Sequence, residues 1–104
     1  MMHFLLVAVL LGTAITATAK DFEVTQKDKK FNEKALTIKV GDSVSFKNDD
    51  AVPHNVFSLS DAKTFDLGSY PQGQSRKITF DKPGEVEIEC SIHSEMKLMI
   101  HVQK

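Results

Sequence analysis

The chain has 104 residues with 13 basic and 14 acidic side chains, a formal charge of −1 and a single cysteine. That near-neutral balance excludes the strong basic excess that binding to nucleic-acid phosphates calls for, and one cysteine excludes an internal disulfide framework. The length serves one hydrophobic core and is too short for two.

Residues 1–19 contain no Lys, Arg, Asp or Glu, run apolar without a break from Phe4 to Leu11, and end in Ala17-Thr18-Ala19. A small-x-small ending of this kind is the form that a signal peptidase accepts. The expectation is a cleavable signal peptide over residues 1–19, cut after Ala19, followed by one domain over residues 20–104. The apolar stretch is shorter than the ~20 residues that span a bilayer, and no cysteine stands at the junction to carry a lipid. The mature domain is therefore expected to be soluble and periplasmic, with no lasting membrane anchor. An unpaired thiol in an oxidising compartment is a liability unless it is buried or bound, so Cys90 needs a role.

From residue 20 onward the apolar pattern has period two, which reads as strands. Phe22 and Val24 mark the first. Leu36, Ile38 and Val40 alternate with Thr37 and Lys39, Gly41-Asp42 offers a turn, and Val44 and Phe46 alternate with Ser45 and Lys47. This predicts a hairpin. The stretch from Ser60 to Gly73 is the least regular, open between a short helix and an irregular strand. Ile78 and Phe80 resume the alternation, Asp81-Lys82-Pro83-Gly84 turns the chain, and Val86, Ile88 and Cys90 share one side, which predicts a second hairpin. In the last strand Leu98, Ile100 and Val102 face inward, with Met99, His101 and Gln103 outward. Glu85, Glu87 and Glu89 form a solvated stripe by the same rule. Short strands at intervals of about ten residues, separated by Gly, Pro, Asn and Asp, predict an antiparallel sandwich.

Cys90, His93 and Met96 follow one another at three-residue spacing, so one tight loop at a strand end can bring a thiolate, an imidazole and a thioether to one point. Sulfur donors with imidazole suit copper in both oxidation states, and two His with one Cys and a weak Met is the blue-copper donor set. His54, in Pro53-His54-Asn55-Val56, supplies the second imidazole from an earlier loop. Taken singly, each residue has a plainer reading: a buried small hydrophobe for Cys90, loop or turn residues for the two histidines, a core filler for Met96. It is the four together, in order, that point to a metal.

These residues resemble the plastocyanin, pseudoazurin and amicyanin group of cupredoxins. The likeness runs through Val40-Gly41-Asp42-Ser43-Val44, Phe46-Lys47-Asn48, Pro53-His54-Asn55-Val56, and Pro83-Gly84 leading to Cys90, and the Cys-x-x-His-x-x-Met loop is most similar to that of amicyanin. The resemblance implies an all-β Greek-key sandwich of eight or so strands with one copper ion at one end, cycling between the +1 and +2 states. It implies His54, Cys90, His93 and Met96 as ligands. It also implies that Asn55 braces the site by donating from its backbone to the Cys90 sulfur. Two positions depart from the pattern: Ser94 stands where proline commonly follows the second ligand His, and Ser91-Ile92 replaces Thr-Pro or Ser-Pro.

A structural zinc site wants four Cys or His ligands in a closed set, which a single cysteine does not favour. A Cys-His hydrolase lacks a third orienting group, and an oxidase or nitrite reductase would need His beside Cys90 to link a second metal centre. The function expected is single-electron transport by a monomer between a redox donor and a redox acceptor, with no enzymatic activity and no nucleic-acid partner. The alternative is a copper-binding protein for delivery, storage or tolerance.

Overall fold

The computed structural model describes residues 18–104. The expected leader lies outside the described residues except for Thr18 and Ala19. The described strands are β1 (Asp21–Lys27), β2 (Lys30–Phe31), β3 (Ala35–Lys39), β4 (Ser43–Asn48), β5 (His54–Ser60), β6 (Lys63–Tyr70), β7 (Ser75–Thr79), β8 (Gly84–Cys90) and β9 (Lys97–Gln103). They form two sheets, one ordered β2-β1-β4-β7 and the other β3-β9-β8-β5-β6. No helix occurs among the described residues.

The two sheets bury their alternate side chains against each other. Val24, Val44 and Phe46 come from the first, and Ile38, Val56, Val86, Ile88, Leu98 and Ile100 from the second. Along β9 the pattern is the expected one, with Leu98, Ile100 and Val102 buried and Met99 and His101 on the outer face. Burying one such side chain contributes about 1.5–3 kcal/mol. A slip of one residue would turn a whole strand's set to water, so the register is strongly specified. Phe65, partly buried, packs against the core, with Phe46 at 6.1 Å and Phe80 edge-on at 6.3 Å between ring centroids.

Both predicted turns occur, but neither closes a hairpin. β3 pairs with β9 while β4 pairs with β1 and β7, and β8 pairs with β5 and β9. Gly41-Asp42 and Asp81–Gly84 therefore carry the chain from one sheet to the other. Period two does not separate the two cases, because two strands that face each other across a core alternate just as two neighbours in one sheet do. The sheets are also mixed: β1 runs parallel to β4, and β3 parallel to β9. Such crossings place strands distant in sequence side by side in the Greek-key manner. Residues 60–73 hold an irregular strand. β6 carries one extra residue against β5, where Asn55 pairs Ser69 and Phe57 pairs Asp66, and Gly68 takes a φ of 69° at that bulge.

Glycine is required at the second crossing. Gly84 has a φ of 142°, and a Cβ there would lie 2.9 Å from the Ala62 Cβ. Buried polar groups tie the sheets together as well. Tyr70 of β6 donates its hydroxyl to Phe46 O of β4 at 2.9 Å and accepts from Gln26 Nε2 of β1 at 3.1 Å. Burial pushes the Tyr70 phenol up.

At the first crossing the buried Asp42 accepts from Lys20 N–H and Lys39 N–H, each at 2.8 Å. The Lys20 bond, then the Lys39 bond, hold its carboxyl below the usual carboxylate range. A group whose pKa falls on folding stabilises the fold above its unfolded value, and that stabilisation is lost as pH drops through the folded value. Urea unfolding between neutral pH and pH about 3 is expected to show Asp42→Asn less stable than wild type at neutral pH. The gap should narrow as the solution is acidified. A constant gap would mean that the charge on Asp42 contributes nothing.

Candidate metal centre

The site is made where β4 hands the chain to β5 and where β8 turns into β9. Asn48, fully buried at the end of β4, organises the first of these loops. Its Nδ2 donates to Val52 O (3.0 Å) and Tyr70 O (2.9 Å), and its Oδ1 accepts from Asp50 N–H (2.8 Å). That last bond is an Asx turn, in which the side chain imitates a backbone turn. The folded loop delivers His54 to the first position of β5, opposite Tyr70 on β6.

The second loop begins where β8 ends, at Cys90, which pairs with Val56 of β5. Met96 N–H donates to His93 O at 3.0 Å and closes a turn that folds His93 back over Cys90. Ser91 N–H donates to Asn55 O at 3.1 Å and joins the two loops. The link expected at Asn55 was from its N–H to the Cys90 sulfur; the bond between the loops runs to its carbonyl. Both imidazoles face the Cys90 sulfur. The Asn55 Oδ1 is buried without a hydrogen-bond partner.

The structure brings three of the four expected donors to one point. Cys90 Sγ lies 3.7 Å from His54 Nδ1 and 3.8 Å from His93 Nδ1. The three donor atoms all fall within 4.8 Å of one another. The imidazole rings are 5.0 Å apart between centroids and inclined at 58°. Met96, next in the loop, is buried, whereas Met99 and His101 lie on the outer face of β9, where His101 faces Glu85 at 2.6 Å. Bonds of about 2.0 Å to nitrogen and 2.3 Å to sulfur, spread by about 120°, would separate the donor atoms by about 3.7 Å. The observed spacing therefore fits a small first-row ion, and the thiolate, imidazole and thioether set suits copper.

One residue at the centre was not foreseen. Asp50 Oδ2 lies 3.0 Å from His54 Nε2, on the side of the ring away from the sulfur, and also accepts from Lys29 N–H at 2.8 Å. The Lys29 bond, with His54 adding to it, holds the Asp50 carboxyl below the usual carboxylate range. In the sequence Asp50 is one of a run, Asn48-Asp49-Asp50, that reads simply as loop. The available signal was its place four residues before a proposed ligand.

A sandwich with this cluster at one end defines a cupredoxin. The family model for copper binding proteins of the plastocyanin/azurin family matches residues 18–103, and the chain belongs to that family, with one copper ion as its cofactor. It is similar to the methylamine utilization protein MauL of Methylorubrum extorquens, with 29% identity over 94 residues, 89% of this chain and 82% of the relative. Among solved structures, the oxidised state of an amicyanin mutant superposes with a TM-score of 0.74 and 26% identity over 80% of this chain and 82% of that one. The copper-containing nitrite reductase of Thermus scotoductus SA-01 gives a TM-score of 0.75 and 30% identity over 81% of this chain. The chain spans only 22% of that enzyme's length.

The loop geometry leads to a test at Asn48. Asn48→Ala would strip partners from two carbonyls and one N–H, a cost of about 1–3 kcal/mol for a buried group left unpaired. Thermal unfolding of the metal-free and copper-loaded protein is expected to show a larger loss in the loaded form, because the same loop positions His54. Equal losses would make Asn48 a general stabiliser with no bearing on the centre.

Proposed function

We propose that this protein is an exported carrier of single electrons, with its copper held by His54, Cys90, His93 and, more weakly, Met96. Copper supplies a one-electron change between its +1 and +2 states. The chain supplies the rest. Cys90 gives the thiolate, and the two imidazoles flank it from separate loops. The Asn48 side chain holds the first loop and backbone bonds hold the second, so the donors need to move little when the charge changes. The leader over residues 1–19 would deliver the domain to the periplasm as a monomer, where it meets a donor and an acceptor.

The observation that carries this reading is the burial of the donors: His54, Cys90 and Met96 are 0%, 2% and 1% exposed. A protein that hands copper on favours exposed, exchangeable ligands, and one that hands on electrons favours a fixed, enclosed set. His93 is the exception, only partly buried, beside Ile92, which is 54% exposed. Pro53, the residue before His54, is exposed as well, and these apolar groups would let a redox partner approach closely without trapping water. Ser91 and Ile92 offer no ligand that would link a second metal centre, which supports a carrier over an enzyme.

Voltammetry of the copper-loaded protein should give a reversible one-electron wave with the metal retained in both states, and loss of copper on reduction would favour delivery or storage. Electron self-exchange locates the exit. Ile92→Lys sets like charges face to face and should slow exchange by about tenfold at low salt. Lys82→Glu, on the turn before β8 at the other end of the sandwich, should leave the rate near wild type. Equal effects of the two changes would place the exit elsewhere.

A further inference from the structure

The two imidazoles enter the centre on different terms. His93 is partly buried on a loop, and its Nδ1 faces the Cys90 sulfur. His54 is fully buried and engaged on both sides, with Nδ1 3.7 Å from the sulfur and Nε2 3.0 Å from Asp50 Oδ2. Asp50 is held in turn. Its Oδ2 accepts from Lys29 N–H at 2.8 Å, and its own N–H donates to Asn48 Oδ1 at 2.8 Å. The Lys29 N–H is presented by a tight turn between β1 and β2 in which Asp28 and Lys29 take left-handed backbone, with φ of 52° and 58°.

An ionised carboxylate only accepts hydrogen bonds, and a neutral imidazole carries one ring proton. If Asp50 takes that proton's bond at Nε2, Nδ1 is left with a free lone pair directed at the Cys90 side of the site. The Asp50 side chain is 11% exposed, and enclosing a charge is costly unless it is well partnered. A neutral Asn could accept the same two N–H bonds through one oxygen. What the carboxylate adds over that Asn, besides a stronger bond to Lys29 N–H, is a negative charge beside the His54 ring.

We propose that Asp50 is a positioning residue for the copper centre, fixing the His54 proton on Nε2 and placing a negative charge behind the ring that favours the oxidised metal over the reduced one. The proposal rests on the carrier reading and adds to it the group that sets the centre's poise. It also makes His54 the anchored ligand and connects the centre, through Lys29, to the β1–β2 turn.

Three measurements test it. In the metal-free protein, nitrogen-15 chemical shifts should place the His54 proton on Nε2, and a proton on Nδ1 overturns the positioning role whatever the copper does. In the copper-loaded protein, Asp50→Asn keeps an oxygen where Oδ2 stands and removes the charge. It should raise the reduction potential by an amount equivalent to about a tenfold change in relative affinity, or about 59 mV for a one-electron couple. Asp50→Ala should raise it as well and should also weaken copper(II) binding by about 10–100-fold. Asp81→Asn, at an exposed carboxylate on the turn before β8, is the control and should not move the potential. A shift for Asp50→Asn no larger than that for Asp81→Asn overturns the charge effect. Absence of any reversible couple in the unmodified protein would instead sink the carrier reading, and the tautomer in the metal-free protein would still decide the positioning role.

Discussion

Two strand ends have to meet for this molecule to hold a metal: the start of β5, which carries His54, and the end of β8, which carries Cys90. They are neighbours in one sheet, with Val56 opposite Cys90, so ordinary strand pairing brings the sulfur and the first imidazole within 3.7 Å. The second imidazole needs only the turn closed by Met96 N–H and His93 O. The centre is thus a consequence of register. A shift of one residue in the β5–β8 pairing would turn Cys90 out of the core and dissolve the cluster, so the same hydrophobic alternation that stabilises the sandwich also assembles the donors.

Two buried aspartates hold the frame around that register. Asp42 and Asp50 lie on the loops at opposite ends of β4, and each accepts a backbone N–H from just beyond an end of β1: Lys20 before it and Lys29 after it. β1 is therefore pinned at both ends by carboxylates on the crossings that flank its parallel neighbour. Charge-assisted bonds of this kind are stronger than neutral ones, which suits crossings that no hairpin closes. At one end the carboxylate serves the fold alone. At the other it also faces His54, and there the frame and the metal centre share a residue.

Much of this was readable from the residues, and the misses have definite causes. Alternation of Leu98, Ile100 and Val102 against Met99 and His101 identified the inner face of β9, because burial selects for it directly. Gly41-Asp42 and Asp81–Gly84 were read correctly as turns and wrongly as hairpins, since period two records which side is buried and carries no information about which sheet the strand joins. The β6 segment resisted assignment because its extra residue at the bulge breaks the period. Cys90, His93 and His54 stood out by donor chemistry and spacing. Asp50 did not, because its role depends on the Asx turn at Asn48 and on a left-handed turn at Lys29, features that appear only once the loops are folded.

The central claim is that the Cys90 thiolate binds copper together with His54 and His93. The most direct measurement is the visible absorption spectrum of the copper(II)-loaded protein and of Cys90→Ser. The account predicts an intense sulfur-to-copper charge-transfer band in the unmodified protein, absent from Cys90→Ser while the sandwich remains folded by far-ultraviolet circular dichroism. An intense band that persisted in folded Cys90→Ser would contradict it.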